Sequence, residues 1–163
     1  MGIDNGHFIG LPFEEVDAEV VLLSVPWDVT VSYRAGTAGG PANILQASTQ
    51  LDLYDPAVEE AWKMGLYMRP PNIYWQKRSK ELREEAALYI KFLEKGGQVA
   101  ADRKMQRRLE AINHSAENLR QWVQQQSAEL LEAGKAVGLI GGDHSCPLGL
   151  LQALAERHSN FGI

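Results

Sequence analysis

The sequence has almost no cysteine, no long hydrophobic run and no excess of basic residues. Its one cysteine, Cys146, excludes an intrachain disulfide framework and agrees with a reducing, cytoplasmic setting. No apolar run approaches the roughly 18–20 residues of a membrane span, and the start has no signal-peptide pattern. The net charge of −5 argues against recruitment by nucleic acid or an anionic membrane. We therefore expect a globular cytoplasmic protein that binds neither.

The composition is that of one folded domain, with 163 residues of which 45% are apolar and 23% charged. Two short apolar runs, residues 18–25 and 137–140, are typical of strands buried on both faces, as in a parallel sheet. Residues 52–54 and 64–68 are weaker candidates for extended pieces. The start of a further strand is predicted at residues 161–163.

Between these strands the pattern predicts helices. Pro41 suits the first turn of a helix over residues 41–48. Residues 77–95 are rich in charge and have apolar positions at helical spacing, and a longer helix is predicted over residues 102–133. The apolar positions of the longer helix form one buried stripe: Leu109, Ile112, Ala116, Leu119, Val123 and Leu130. Ser145 is expected to cap a last helix whose core-facing residues are Leu148, Leu151 and Leu154.

The alternation of strands and helices predicts an α/β fold with a parallel sheet. Two complete strands are too few for a stable open sheet flanked by three helices. We therefore expect residues 1–163 to be the N-terminal half of a single larger α/β domain. Within it, residues 77–133 would form a helical excursion.

Ligands of open α/β sheets bind outside the carboxyl ends of the strands. Trp27 and Asp28 follow the first predicted strand and are candidates for the wall of a substrate pocket. Gly-Gly-Asp-His-Ser follows the second strand at residues 141–145, where two glycines allow a sharp turn. His144 would lie near a helix N-terminus, which favours the neutral imidazole that binds metals. Asp143 would either accept a hydrogen bond from an imidazole or fix the turn through backbone amides.

A histidine in such a turn is either a metal ligand or a capping residue, and one histidine alone cannot hold a catalytic metal. A Cys–His pair adjacent in sequence rarely has the geometry for proton abstraction, so Cys146 is expected to pack rather than to act as a nucleophile.

These segments resemble the ureohydrolase family, which includes arginase, agmatinase and formiminoglutamase. Residues 141–145, after an apolar strand, are similar to the first metal-binding motif of the family. Val-Pro-Trp-Asp at 25–28, Ser-Tyr-Arg-Ala-Gly-Thr at 32–37 and Gly-Pro-Ala at 40–42 are similar to its N-terminal pattern. The motifs occur in the family order, and the resemblance spans residues 20–163.

The resemblance implies a three-layer α/β/α sandwich that hydrolyses a C–N bond of a small guanidino or amidino substrate. It implies that His144 is a direct ligand of one of two divalent metal ions, manganese with nickel as the alternative, which share a bridging hydroxide. Asp143 would support this ligand. No catalytic residue is expected within the chain itself. A homo-oligomer, trimer or hexamer, is the family expectation.

The remaining family ligands belong to an Asp-Ala-His-x-Asp motif and a later Asp-x-Asp motif, and neither occurs in this sequence. Catalysis would therefore need the C-terminal half of the same domain. Leu45 stands where the family often has arginine, and the long helical pair favours a divergent branch, so the substrate stays open. The alternative is a non-catalytic interaction module or vestigial fragment, whose helical stripe, including Leu119, pairs with a partner. A nucleotide-binding domain is set aside because no phosphate-binding glycine motif occurs.

Overall fold

The structure is a computed structural model that describes residues 4–31, 33–54, 56–160 and 162. Short 3-10 turns lie at Phe8–Gly10, Thr37–Gly39, Ala61–Met64 and Val99–Ala101. Of the strand start predicted at residues 161–163, residues 161 and 163 lie outside the described residues. The main elements, in chain order, are β1 (Val20–Val25), α1 (Gly40–Ser48), β2 (Leu66–Met68), α2 (Ile73–Glu94), α3 (Arg103–Glu132), β3 (Ala136–Gly141) and α4 (Leu148–Arg157).

The strands form one parallel sheet in the order β2-β1-β3. The register places Val20 opposite both Leu66 and Ala136, and β1 then pairs with β3 along its whole length. This confirms the predicted α/β fold with a parallel sheet. The strand β1 was expected to be buried on both faces, and four of its six residues are buried. None of the six described residues of β3 is buried. The prediction was wrong for β3 because β1 is its one neighbour in the described sheet.

The helices begin where local chemistry allows them to begin. The helix α1 has Pro41 in its first turn, as predicted. The helix α2 starts at Ile73, four residues before the predicted start, because the side chain of Asn72 accepts a hydrogen bond from the backbone N–H of Trp75. Asp102 caps α3 in the same way, so that helix matches its predicted span closely. Residues 52–54 form no strand, and the extended piece predicted at 64–68 is the short strand β2.

One apolar core joins β1 to the helices α2 and α3. Leu119 of α3 is 3% exposed and lies inside this core, so its stripe packs on the chain's own sheet and is not an open surface for a partner. Burial of each large apolar side chain stabilises the fold by about 1.5–3 kcal/mol. The buried members of the core are Leu23, Val25, Trp27, Val29, Trp75, Leu82, Ala86, Ile112, Leu119, Val123 and Cys146.

The helix α4 differs most from its prediction. It begins at Leu148, and Ser145 does not cap it. Leu148 is 48% exposed rather than core-facing, and the buried residues of the helix are Gly149 and Ala153. A β-carbon at position 149 would lie 2.5 Å from the carbonyl oxygen of Arg120, so α3 and α4 cross with their backbones close together. Only small residues fit at such a crossing, so the leucines of α4 lie outside it.

No helix within the described part of the chain combines the length and the apolar character needed to cross a membrane.

Candidate active site at the carboxyl ends of β1 and β3

The two segments that follow β1 and β3 are joined backbone to backbone. Val25 is paired with Gly141 at the ends of the strands. The N–H of Asp143 donates to the carbonyl oxygen of Trp27 at 2.9 Å. A β-carbon at position 142 would lie only 1.7 Å from that oxygen, so only glycine fits there. The structure therefore brings the two predicted motifs together at one edge of the sheet.

The loop after β1 is organised by the buried carboxylate of Asp28. One of its oxygens, Oδ2, accepts hydrogen bonds from the backbone N–H groups of Gly36 at 2.7 Å and Ala38 at 3.3 Å. The hydroxyl of Ser79 on α2 donates to Oδ1 at 3.4 Å and accepts from the N–H of Asp28 at 3.2 Å. Asp28 thus holds the loop closed and joins it to α2.

The helix α2 supports the same loop a second time. The guanidinium of Arg83 donates to the carbonyl oxygens of Val29 at 3.0 Å and Val31 at 2.8 Å. Sequence reasoning missed both Ser79 and Arg83, because they stand in a charged segment that is typical of a solvated helix face. Their spacing of four residues, which places them on one face of α2, was the available signal.

The prediction that Trp27 and Asp28 line the pocket is not supported by this structure. Trp27 is 1% exposed, and its ring packs against Trp75 in a T-shaped pair with 5.9 Å between centroids. Asp28 is 5% exposed, and its carboxylate is engaged by the loop and by Ser79. The physical reason is that α2 covers the carboxyl end of β1, so both side chains point into the protein.

An open cleft of about 530 Å³ lies between the loop and the turn after β3. His144 is exposed at this cleft. The helix α4 starts four residues after His144, so the helix N-terminus expected beside the imidazole lies further away than predicted. The side chains that line the cleft include Thr30, Tyr33, Arg34, Thr37, Asp143 and His144.

Asp143 fixes the turn that presents His144. Its Oδ1 accepts hydrogen bonds from the N–H of Ser145 at 3.0 Å and from its hydroxyl at 2.5 Å. The hydroxyl of Thr30 lies 3.5 Å from Oδ2 and ties the turn to the loop. Of the two roles considered for Asp143, the geometry supports the one that fixes the turn. That Asp143 also supports His144 as a metal ligand stays a prediction.

The donors in the cleft fit one ligand of a metal centre but not a whole centre. Among the residues that the structure describes, no group of three or more His, Cys, Asp or Glu side chains could hold a metal ion. A catalytic metal typically needs three protein ligands. His144 offers one imidazole, and the carboxylate of Asp143 is already engaged by Ser145. Further ligands would have to come from other residues.

Cys146 is a packing residue in this site. It is 2% exposed, and burial raises the pKa of its thiol to about 11. Its sulfur lies 3.7 Å from the carbonyl oxygen of Trp27. At neutral pH the thiol is therefore protonated and enclosed, which is the opposite of what a nucleophile needs.

Comparisons with known proteins identify a family to which the sequence is similar. The model of the arginase family matches residues 18–163. An agmatinase of Bacillus anthracis is 28% identical over 151 residues, which cover 93% of this chain and 39% of that protein. An agmatinase of Klebsiella pneumoniae is 30% identical over 153 residues, covering 94% and 39%. An N(1)-aminopropylagmatine ureohydrolase of Thermus thermophilus is 27% identical over 156 residues, covering 93% and 39%.

The crystal structure of the agmatine ureohydrolase of Thermoplasma volcanium has a similar fold. It matches with a TM-score of 0.54 and 18% identity, and the match covers 87% of this chain and 36% of that one. At this identity the likeness shows the fold alone. The chain spans about two fifths of the length of the curated relatives that it matches.

Proposed function

The chain belongs to the arginase family, and from this membership we propose that it is the N-terminal part of a ureohydrolase. The enzyme would hydrolyse a C–N bond of a small guanidino or amidino compound. Relatives named for agmatine and aminopropylagmatine support this substrate class. The observation that carries the proposal is the position of His144, which stands at the carboxyl end of β3 beside a loop that Asp28 and α2 hold in place.

We propose that His144 is a ligand of one of two divalent metal ions, manganese with nickel as the alternative. Two neighbouring divalent ions supply an activated water for attack on the guanidinium carbon and neutralise the charge that develops there. The turn that Asp143 stabilises would present the imidazole to the metal, and the backbone contact between Gly142 and Trp27 would set its distance from the loop. The other ligands would come from the C-terminal half of the same domain.

The loop after β1 would form part of the substrate wall. Thr30, Tyr33 and Arg34 line the cleft on the side opposite His144. Because Asp28 and Arg83 hold the two ends of this loop, its backbone is positioned without support from the substrate. A preset wall of this kind lowers the entropy lost on binding. The assembly into a trimer or hexamer and the cytoplasmic location belong to the same proposal.

The test is metal content and substrate hydrolysis by the full polypeptide that contains these residues, purified with manganese. Urea release would be measured with agmatine, N(1)-aminopropylagmatine, arginine and 4-guanidinobutyrate, and formamide release with formiminoglutamate. We expect hydrolysis of one of these compounds. His144→Ala should remove bound metal and lower kcat/KM by more than about 100-fold, since even the outer partners of metal ligands are worth about 10–100-fold.

The matched control is His158→Ala, because His158 is an exposed histidine just after α4 and away from the cleft. It should keep both metal and activity. Equal metal content and equal activity in the His144→Ala and wild-type proteins would overturn the role of His144. Failure of all five substrates in a metal-loaded wild type would overturn the ureohydrolase proposal.

The alternative of a non-catalytic helical module finds no support in the packing. It needs the stripe of α3 to be open to a partner, whereas Leu119 is buried against the chain's own core. Leu119→Asp should therefore unfold the protein rather than dissociate an intact assembly, as circular dichroism would show. Dissociation into folded subunits with unchanged metal content would favour the alternative.

A further inference from the structure

A second, separate concavity lies between α2 and the start of α3. It is a groove of about 800 Å³, called here the basic groove, and none of its lining residues belongs to the cleft at His144. Its side chains include one carboxylate, Glu85, and five cations, although the net charge of the whole chain is −5. The five cations are Arg78, Arg103, Lys104, Arg107 and Arg108.

Two of these cations are held in place by the protein. Arg78 donates to the hydroxyl of Ser115 from Nε at 3.1 Å and from Nη2 at 2.8 Å. Arg108 donates from Nε to the carboxylate of Glu85 at 2.5 Å, and its side chain is 12% exposed. The walls of the groove therefore present guanidinium groups whose positions are set before any ligand arrives.

The other three cations form no ion pair with any residue that the structure describes. Arg103, Lys104 and Arg107 stand in the first two turns of α3, where the helix dipole disfavours positive charge. Arg107 also follows Arg103 at a spacing of four residues, as Arg108 follows Lys104, and like charges at that spacing repel. Of these four cations only Arg108 has an acidic partner among the described residues, Glu85, and an anion in the groove would relieve the repulsion that remains.

We propose that the basic groove binds a small multivalent anion that bears phosphate groups. Arginine presents its N–H donors in a planar fork that matches phosphate oxygens, and two such forks are already positioned by Ser115 and Glu85. Exposed Ala111 adds a small apolar surface for the less polar part of the ligand. This proposal does not rest on the proposed hydrolase activity, so the failure of either one leaves the other unaffected.

The test is titration calorimetry with inorganic pyrophosphate at about 0.15 M salt, where weak surface attraction is screened. The double variant Arg103→Gln/Arg107→Gln removes two exposed, unpaired cations and should fold as the wild type does. Its affinity for pyrophosphate should fall by about tenfold or more, since charge-assisted hydrogen bonds are lost. The control Lys91→Gln/Lys95→Gln removes the same charge from exposed positions at the C-terminal end of α2 that do not line the groove, and it should bind as the wild type does.

Equal weakening in both double variants would overturn the proposal, because it would show a general effect of net charge. Competition by sulfate as effective as that of pyrophosphate would also overturn it, since the groove would then hold an adventitious ion only. If the wild type binds no pyrophosphate while Arg103→Gln/Arg107→Gln changes the sedimentation of the protein, the groove is a contact between copies and the proposal fails. Circular dichroism of each variant checks that the helices are intact.

Discussion

The α-carbon of Gly142 stands so close to the carbonyl group of Trp27 that a β-carbon there would come within 1.7 Å of the oxygen and 2.6 Å of the carbon. The next residue, Asp143, donates its N–H to the same oxygen. This contact joins the exits of β1 and β3 without any side chain. The position of His144 relative to the loop after β1 therefore requires that residue 142 has no β-carbon, as only glycine allows.

Gly142→Ala should accordingly separate the turn from the exit of β1. The added methyl group meets rigid backbone, which cannot rotate away as a side chain can. We expect a loss of about 1–3 kcal/mol in the free energy of unfolding, the usual cost of overpacking. Chemical denaturation monitored by tryptophan fluorescence measures it.

The matched control for that change is Gly39→Ala. A β-carbon at position 39 would have only the side-chain nitrogen of Asn43 nearby, at 3.8 Å, and the backbone there is helical. Its free energy of unfolding should stay close to that of the wild type. If Gly142→Ala proved as harmless as Gly39→Ala, the close approach of the two strand exits would be wrong.

The pair formed by Asp28 and Ser79 should behave as one unit. Each residue bonds the other, and Asp28 also holds the amides of Gly36 and Ala38. Removing either partner leaves the other with an unsatisfied buried group, at a cost of about 1–3 kcal/mol. A double-mutant cycle of Asp28→Ala and Ser79→Ala should give a coupling of at least about 0.5 kcal/mol. Strict additivity would show that the two residues act separately.

Sequence patterns predicted the features that depend on local periodicity. The apolar run of β1, the stripe of α3 and the joining of the Trp27 and Gly142 segments all follow from spacing and from the geometry of parallel sheets. The early start of α2 depends on a single hydrogen bond from Trp75 to Asn72, which a count of apolar positions does not detect.

The features that the sequence could not predict depend on contacts between distant residues. Asp28 forms hydrogen bonds with Ser79, which lies 51 positions further along the chain. The sequence of β1 alone therefore could not predict that Asp28 is buried. Gly149 and Ala153 form the core face of α4 because this helix crosses α3 at close range. The sequence of α4 alone does not give the path of α3. Burial of β3 was overestimated because a short apolar strand does not indicate how many neighbours it has.

The ion pair between Glu15 and Arg69 should give a small stability that depends on pH. Hydrogen bonding to Arg69 lowers the pKa of Glu15 in the folded state. Its contribution is therefore complete above the ordinary pKa of a glutamate and is lost as the pH falls through the lowered value. Because the pair is partly exposed, we expect under about 1 kcal/mol.

The measurement is chemical denaturation of the wild type and of Glu15→Gln between pH 3 and pH 7. The wild type should be the more stable protein at pH 7, and the two curves should converge in acid. Parallel curves over this range would mean that the folded protein does not stabilise the ionised carboxylate.

Cys146 should show the opposite dependence at high pH. Desolvation raises the pKa of the folded thiol to about 11 from an ordinary value of 9.0. Between these values the unfolded chain loses the thiol proton first, so folding stability falls as the pH rises. At pH 11 the free energy of unfolding of the wild type should have dropped by about 2 kcal/mol more than that of Cys146→Ala, which cannot ionise. Comparing the two proteins cancels the titration of other groups.

The same burial predicts that a thiol reagent leaves the folded protein unlabelled at pH 8 and labels it at once in denaturant, since the thiolate is the reacting species and the sulfur is enclosed. Cys146→Ala should keep any hydrolytic activity of the full polypeptide, because the thiol faces the carbonyl groups of Val25 and Trp27 rather than the cleft at His144. Rapid labelling of the native state would contradict the packing of Cys146 against β1. Loss of activity in a variant with unchanged stability would instead give this thiol a part in the reaction.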